Sequence, residues 1–319
     1  MRFIILLFAT LIFAKDYVQL YRLNGEKMLI NALETTLQNK AYWLNKLKDK
    51  NVSLGYYESP KDILVCVKKR KILKVYKFLN RNFKKVDSIK VLTGLDGDKQ
   101  REGDLKTPIG VYRLTSFLTN VDPFYGPFAF ETGYPNLFDK IRDKDGHGIW
   151  IHGVPLRGKR DSNNTKGCIV MKNDRLKKLK EEINLNDTYL LISEKKPFLS
   201  TKSEIASILA FIYKWRYAWK TSDFDKYKKF YDKTFKRFDG KDLKEFLAYK
   251  KRVFENKKNQ NVSIIFKNIN IIPYQNISNQ RIFRINMYEI YSSDDFKYRG
   301  NKELYVKLDK DGIKILTEK

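Results

Sequence analysis

The feature that most limits the architectures open to this chain is a change of hydrophobic period at Asp62. Before it, GEKMLINALETTLQNKAYWLNKLK at 25–48 sets Leu29, Leu33, Leu37, Leu44 and Leu47 near the repeat of a helix. After it, DILVCVKK, KILKVYKF and DSIKVLTG are short apolar runs parted by turn residues, and IGVYRLTSF and GHGIWIHG continue the series. The helix NDRLKKLKEEI and the strand DTYLLIS close this unit near residue 194. Repeated short strands with few helices must bury their faces in a sandwich or barrel, so 61–194 is read as one β-rich domain.

The period changes again beyond Lys195, Lys196 and Pro197. Thr201 and Glu204 have capping-box spacing, and Ile205, Ile208, Ile212, Trp215 and Trp219 recur as one helical face. Strands at NVSIIFKN, QRIFRINMYEIY and ELYVKLD follow, so 201–319 is expected to be an α+β domain. The helical segment 15–60 needs a partner for its stripe. Packing on the next domain is the first expectation and pairing with a second copy the alternative; Tyr56, Tyr57 and Pro60 read as a linker. The whole chain is an α+β multidomain protein.

At the start, Arg2 precedes an apolar run from Phe3 to Ala14, interrupted only by Thr10 and ended by Lys15 and Asp16. The run is too short to span a bilayer and reads as a signal peptide, 1–14, which would export the chain to the periplasm. Membrane association is then peripheral at most. The net charge of +27 suits an acidic polymer. Nucleic acid is disfavoured, because the chain is exported and its lysines are scattered (Lys68 to Lys71, Lys177 to Lys180, Lys226 to Lys229) outside any recognised motif.

Two cysteines and two histidines carry most of the remaining signal. Cys66 lies in the apolar run ILVCVKK and reads as a buried strand residue, so a disulfide with Cys168 is not the favoured reading. Cys168 follows glycine in the polar turn TKGCIVMKN. A nucleophilic thiol needs its proton removed, and His152, ending GIWIHG, can act as base and then protonate a leaving amine. With no acid beside it, His152 would be oriented by a backbone carbonyl. Gly167 can adopt positive φ and turn its N–H, with that of Cys168, toward an oxyanion. His147 falls on the opposite face of a regular strand, which suggests a structural or pocket-rim role. Lys166, Thr165, Arg157 and Trp150 are candidate substrate contacts, with Lys159 and Arg160 on the same basic loop. Two histidines and two separated cysteines match no metal-ligand spacing, and no cofactor is implied. Trp215, Trp219, Tyr227 and Tyr231 read as core, with a sugar or peptide pocket as the alternative.

IHG, the turn TKGCIVMKND, and the upstream GDLKTPIGVYRL at 103–114 together resemble the L,D-transpeptidase catalytic domain, the YkuD-like fold. His152, Gly153, Thr165, Gly167 and Cys168 match its HG and [ST]-x-G-C pattern, and Gly103, Asp104, Thr107, Pro108 and Gly110 match its upstream turn. The resemblance implies that Cys168 is nucleophile, His152 base, and the carbonyl of Gly153 its orienting group. Transpeptidases usually continue GCIRM, whereas this chain has Val170 in GCIVM. That departure and the extra terminal segments resemble the hydrolytic branch, including L,D-carboxypeptidases that set helical cell shape by trimming tetrapeptide stems to tripeptides. Those proteins carry an N-terminal dimerisation segment and a C-terminal NTF2-like domain, which WRYAWKTSDFDKYKKFYDKTF and its following strands resemble. The resemblance thus implies a periplasmic cysteine L,D-carboxypeptidase acting on peptidoglycan stem peptides through a thioester, with a homodimer through 15–60. Alternatives are an L,D-transpeptidase, a hydrolase releasing wall-bound lipoprotein, and a non-catalytic wall-binding scaffold.

Overall fold

A computed structural model describes residues 17–80, 82–158 and 164–319. The expected signal peptide, 1–14, lies outside the described residues, as do Lys159 and Arg160.

The chain begins with helices α1 (Tyr17–Leu37) and α2 (Lys40–Lys46). The single helix expected over 25–48 is therefore divided. Asn39 is extended, at φ −94° and ψ 119°, and its side chain accepts the Ala41 N–H, capping a new helix where the old one would have run on. The partner of this segment also differs from expectation. Trp43, Leu47 and Val52 join a core with Ile205, Leu209 and Ile212 of the last domain, and Trp43 stacks on Tyr213 at 5.4 Å. Glu34, buried on α1, pairs with Arg216 and with Lys220, the latter at 3.1 Å. Tyr56 and Tyr57 are not a linker but strand β1, antiparallel to residues 270–271 of the last domain.

The catalytic-type unit follows as β2 (Lys61–Val67), β3 (Ile72–Leu79), β4 (Asn82–Lys90), β5 (Gly110–Leu118), β6 (Ala129–Thr132), α3 (Leu137–Lys140), β7 (Trp150–His152), β8 (Ile169–Val170), α4 (Asn173–Glu182) and β9 (Thr188–Ser193). Its strands form one sheet in the order β4-β3-β2-β9-β5-β6-β7-β8. Strand β5 serves both halves: Gly110–Arg113 pair with β9, and Leu114–Leu118 pair with β6, with a register shift between Leu114 and Ser116. A bulge there bends the strand, so the halves fold face to face over Leu64, Cys66, Leu73, Val75, Phe130, Ile151 and Ile169. Beyond β4, Leu92 exchanges both backbone hydrogen bonds with Val170 (2.8 and 2.9 Å), which clamps the outermost strand β8.

The last unit holds α5 (Lys202–Lys220), α6 (Phe224–Tyr227), α7 (Leu243–Lys257), β10 (Ser263–Pro273), β11 (Arg281–Ser292), β12 (Lys297–Asp309) and β13 (Gly312–Glu318). The expected capping box of α5 is present, with Glu204 N donating to Thr201 Oγ1 at 3.2 Å and Thr201 N to Glu204 Oε2 at 2.9 Å. The sheet runs β1-β10-β11-β12-β13 and packs on α5 and α7.

The two units share a third core. Ile63, Val65, Val111, Phe138, Tyr189 and Leu191 interleave with Ile272, Tyr274, Tyr305 and Leu316. Polar groups inside it are joined across the boundary: Arg284 donates to Val111 O at 2.8 Å, Asn136 Nδ2 to the Tyr274 hydroxyl at 3.0 Å, and that hydroxyl to Asp139 at 3.3 Å. Gly110, from the upstream motif, admits this contact, since a Cβ there would lie 2.6 Å from the Tyr274 hydroxyl.

Candidate active site

Strands β7 and β8 pair in parallel, Ile151 with Ile169 and His152 with Val170. One step back, this register sets Cys168 beside Trp150, and the Trp150 N–H points at Cys168 Sγ at 3.5 Å. Trp150 and His152 are two residues apart on one strand, so both side chains leave the sheet on the same side. Ile151 and Ile169, on the other side, are fully buried in the core. The thiol and the imidazole are thus presented together by adjacent strands whose opposite face is anchored.

The turn before Cys168 is held from within. Thr165 Oγ1 accepts the Gly167 N–H at 3.1 Å and donates to Cys168 O at 2.6 Å. Gly167 has φ +124°, and a Cβ there would meet Ile149 at 2.8 Å and Lys106 O at 2.9 Å. Glycine is required on both counts. The Gly167 N–H was expected to face an oxyanion; instead the hydroxyl two residues back takes it. Thr165, a candidate substrate contact, is buried, and its hydroxyl works inside the turn. The thiol itself lies 3.5 Å from Gly148 O.

His152 is 2% exposed, and its Nδ1 stands 2.7 Å from Gly153 O. A carbonyl can only accept, so Nδ1 carries a proton, and in the neutral ring this is the tautomer that leaves Nε2 to act as base. The peptide supplying that carbonyl is itself fixed. Gly153 N–H donates to Tyr125 O at 3.0 Å, and a Cβ on Gly153 would come within 2.0 Å of Asn173 Oδ1. The Tyr125 ring meets the imidazole edge-on at 4.9 Å and the Trp150 ring at 5.0 Å.

Tyr125 and Asn173 were not singled out from the sequence. The signals available were an aromatic between two prolines in DPFYGPF and an asparagine closing the TKGCIVMKN stretch. Of the other candidates, Lys166 and Arg157 are exposed and Trp150 is half-buried, with its indole nitrogen buried and unbonded. His147 precedes β7 in an exposed loop rather than lying on the strand. Cys66 is fully buried, burial pushes its thiol up to about 12, and neither cysteine is in a disulfide. Val170 is 1% exposed and lies on the His152 side of β8. An aliphatic side chain therefore fills the place where the transpeptidase pattern has arginine.

In the last unit Trp215, Tyr227 and Tyr231 are core residues, while Trp219 is half-buried beneath Lys250 Nζ at 4.6 Å and Lys302 Nζ at 5.8 Å. Burial pulls Lys250 down to about 8. Among the described residues no His, Cys, Asp and Glu group could hold a metal ion, and no helix is long and apolar enough to cross a membrane.

Comparison with known proteins agrees with this architecture. Residues 60–192 match the YkuD family, an L,D-transpeptidase catalytic domain, and 207–319 match the Cds6 C-terminal NTF2-like domain. The crystal structure of the helical cell shape determining protein Pgp2 from Campylobacter jejuni is 43% identical with a TM-score of 0.83, over 88% of this chain and 99% of that one. Bd1075 of Bdellovibrio bacteriovorus is 28% identical with a TM-score of 0.67, over 84% of this chain and 96% of the other. The putative L,D-transpeptidase YafK of Escherichia coli K12 is 32% identical over 88 residues, 27% of this chain and 35% of YafK. The match to this curated relative thus spans about a third of its length.

Proposed function

Because this chain belongs to the family of the helical cell shape determining protein Pgp2, joining a YkuD catalytic domain to an NTF2-like domain, we propose that it trims peptidoglycan. Its reaction is that of an extracytoplasmic cysteine L,D-carboxypeptidase, which shortens tetrapeptide stems to tripeptides and so affects cell shape. The observation that carries this reading is the His152 Nδ1 contact to Gly153 O at 2.7 Å, on the strand beside Cys168.

In the first half-reaction, Nε2 of His152 takes the thiol proton. Cys168 Sγ attacks the carbonyl carbon at the L-centre of the stem's diaminopimelate, and the Cys168 N–H stabilises the oxyanion. Collapse breaks the C–N bond, and His152 returns the proton to the leaving amine of D-alanine. The product is a thioester. In the second half-reaction, His152 deprotonates water, which attacks the thioester and releases the tripeptide carboxylate and the thiol. An amine in place of water would give a cross-link. Val170, standing where the transpeptidase pattern has arginine, is the departure that supports hydrolysis over transfer.

The test is to incubate the protein with purified disaccharide tetrapeptide and identify products by mass spectrometry. Tripeptide with one equivalent of free D-alanine is expected. Cys168→Ala and His152→Ala should each lower the rate by at least about 10³-fold while the fold is kept. Cross-linked dimers, or turnover by Cys168→Ala, would refute the mechanism. We also propose that α1, whose Val18, Tyr21, Leu23 and Met28 are all exposed, pairs with α1 of a second copy.

A further inference from the structure

A cavity of about 300 Å³ shares no lining residue with the catalytic turn. Its floor is the outer face of β2 and β3. Val65, Val67 and Tyr76 line it, whereas the alternating Leu64, Cys66, Leu73 and Val75 face the inner core. Its rim carries Arg70, Lys74, Lys195 and Lys196, and no aspartate or glutamate lines it. Three further cavities each include at least one acid. None of the four cations forms an ion pair or side-chain hydrogen bond with a described residue.

The walls are preformed. The connector bearing Lys195 and Lys196 is fixed by Ser200 N to Ser53 O at 2.9 Å and by Phe198 N to Gln275 Oε1 at 2.7 Å. Burial raises the Tyr76 hydroxyl above its usual range, so it stays a protonated donor near the floor. Four cations around one concavity repel each other, and an anion seated among them relieves that repulsion while apolar groups cover the floor. The volume is at the small end for ligand pockets, about 300–1,000 Å³, and suits a short peptide rather than a glycan chain. The enclosure by three chain segments is unlike the open basic face that a bilayer requires.

We propose that this cavity is a second binding site, taking a short peptide that bears two or more carboxylates and small apolar side chains. Naming that ligand as a stem peptide rests on the function proposed above; the anionic chemistry of the cavity does not. Occupied by trimmed stems, the site would hold the protein on wall already processed while the thiol works on neighbouring strands.

The experiment is calorimetric titration of the full chain with disaccharide tripeptide, beside the charge-reversed variant Lys195→Glu/Lys196→Glu. Both lysines are exposed, so the variant should fold. Binding that weakens with salt, and falls at least tenfold in the variant, is expected, with D-alanine release from soluble tetrapeptide unchanged within twofold. No binding by the wild type, equal binding by the variant, or binding of phosphatidylglycerol vesicles in place of the peptide would each overturn the site. A wild type that binds tripeptide through these lysines but releases no D-alanine would keep the site and refute the carboxypeptidase reading.

Discussion

Gly153 shows how narrowly a single position can be set. Its carbonyl fixes the His152 tautomer, and its missing side chain makes room for Asn173 Oδ1, which a Cβ would approach to 2.0 Å. Gly153→Ala should therefore displace that peptide and lower kcat about 10²-fold with little change in KM. Adding Asn173→Ala, which deletes the colliding oxygen, should restore part of the loss. Steady-state D-alanine release measures both, and a double variant no faster than the single one would show that the collision is not the cause. At this scale the sequence was informative where residue type is scarce. Cys168 and His152 stand out because cysteine and histidine are rare in the chain, and Gly153 and Gly167 through their pattern. Tyr125 and Asn173 were hidden because one acts through a backbone oxygen and the other by occupying space, and neither use restricts a sequence in a recognisable way.

Among the elements, those with strong local signals were legible: β2, β3, β5, the capped start of α5, and α4, whereas the strand expected over 87–94 lies earlier, as β4 at Asn82–Lys90. Strand β1 was not legible. Two tyrosines cannot advertise a ladder whose partner lies about two hundred residues away, and the split at Asn39 depended on a cap that also reads as an ordinary helix residue. Two elements yield predictions. On α7, Lys250 is held at a pKa of about 8 by burial, against about 10.4 in an unfolded chain. Below pH 8 both states carry the proton and the folded state bears the full desolvation penalty. Between 8 and 10 the folded state sheds the proton first and gains stability. The Tm difference between Lys250→Met and wild type should therefore change across pH 8–10 and be flat from 6 to 7.5; a constant difference throughout would contradict the lowered pKa. On α1, Leu23→Glu with Met28→Glu should convert the mass seen by light scattering from dimer to monomer. A wild type already monomeric at micromolar concentration would dispose of the pairing.

Across the whole molecule, the junction at Lys195–Pro197 looks like a place to cut, and the structure argues otherwise. Val111, Phe138, Tyr189 and Leu191 depend for their burial on Ile272, Tyr274 and Tyr305. Removing 201–319 should leave a fragment that aggregates and lacks a cooperative thermal transition, measured by solubility and near-ultraviolet circular dichroism. A soluble, cooperatively unfolding fragment would mean the shared core is dispensable. The order of the strands along the chain adds a matter of timing. A chain delivered across a membrane from its N-terminus presents α1, α2 and β1 first, yet β1 pairs with β10 and α2 packs on α5. The sheet that carries Cys168 is complete once β9 arrives, but its outer face stays bare until β10 to β13 follow. Burial of the sheet that carries Cys168 is in this way tied to receipt of the last strands, and a truncated delivery keeps an apolar face exposed to quality-control proteases.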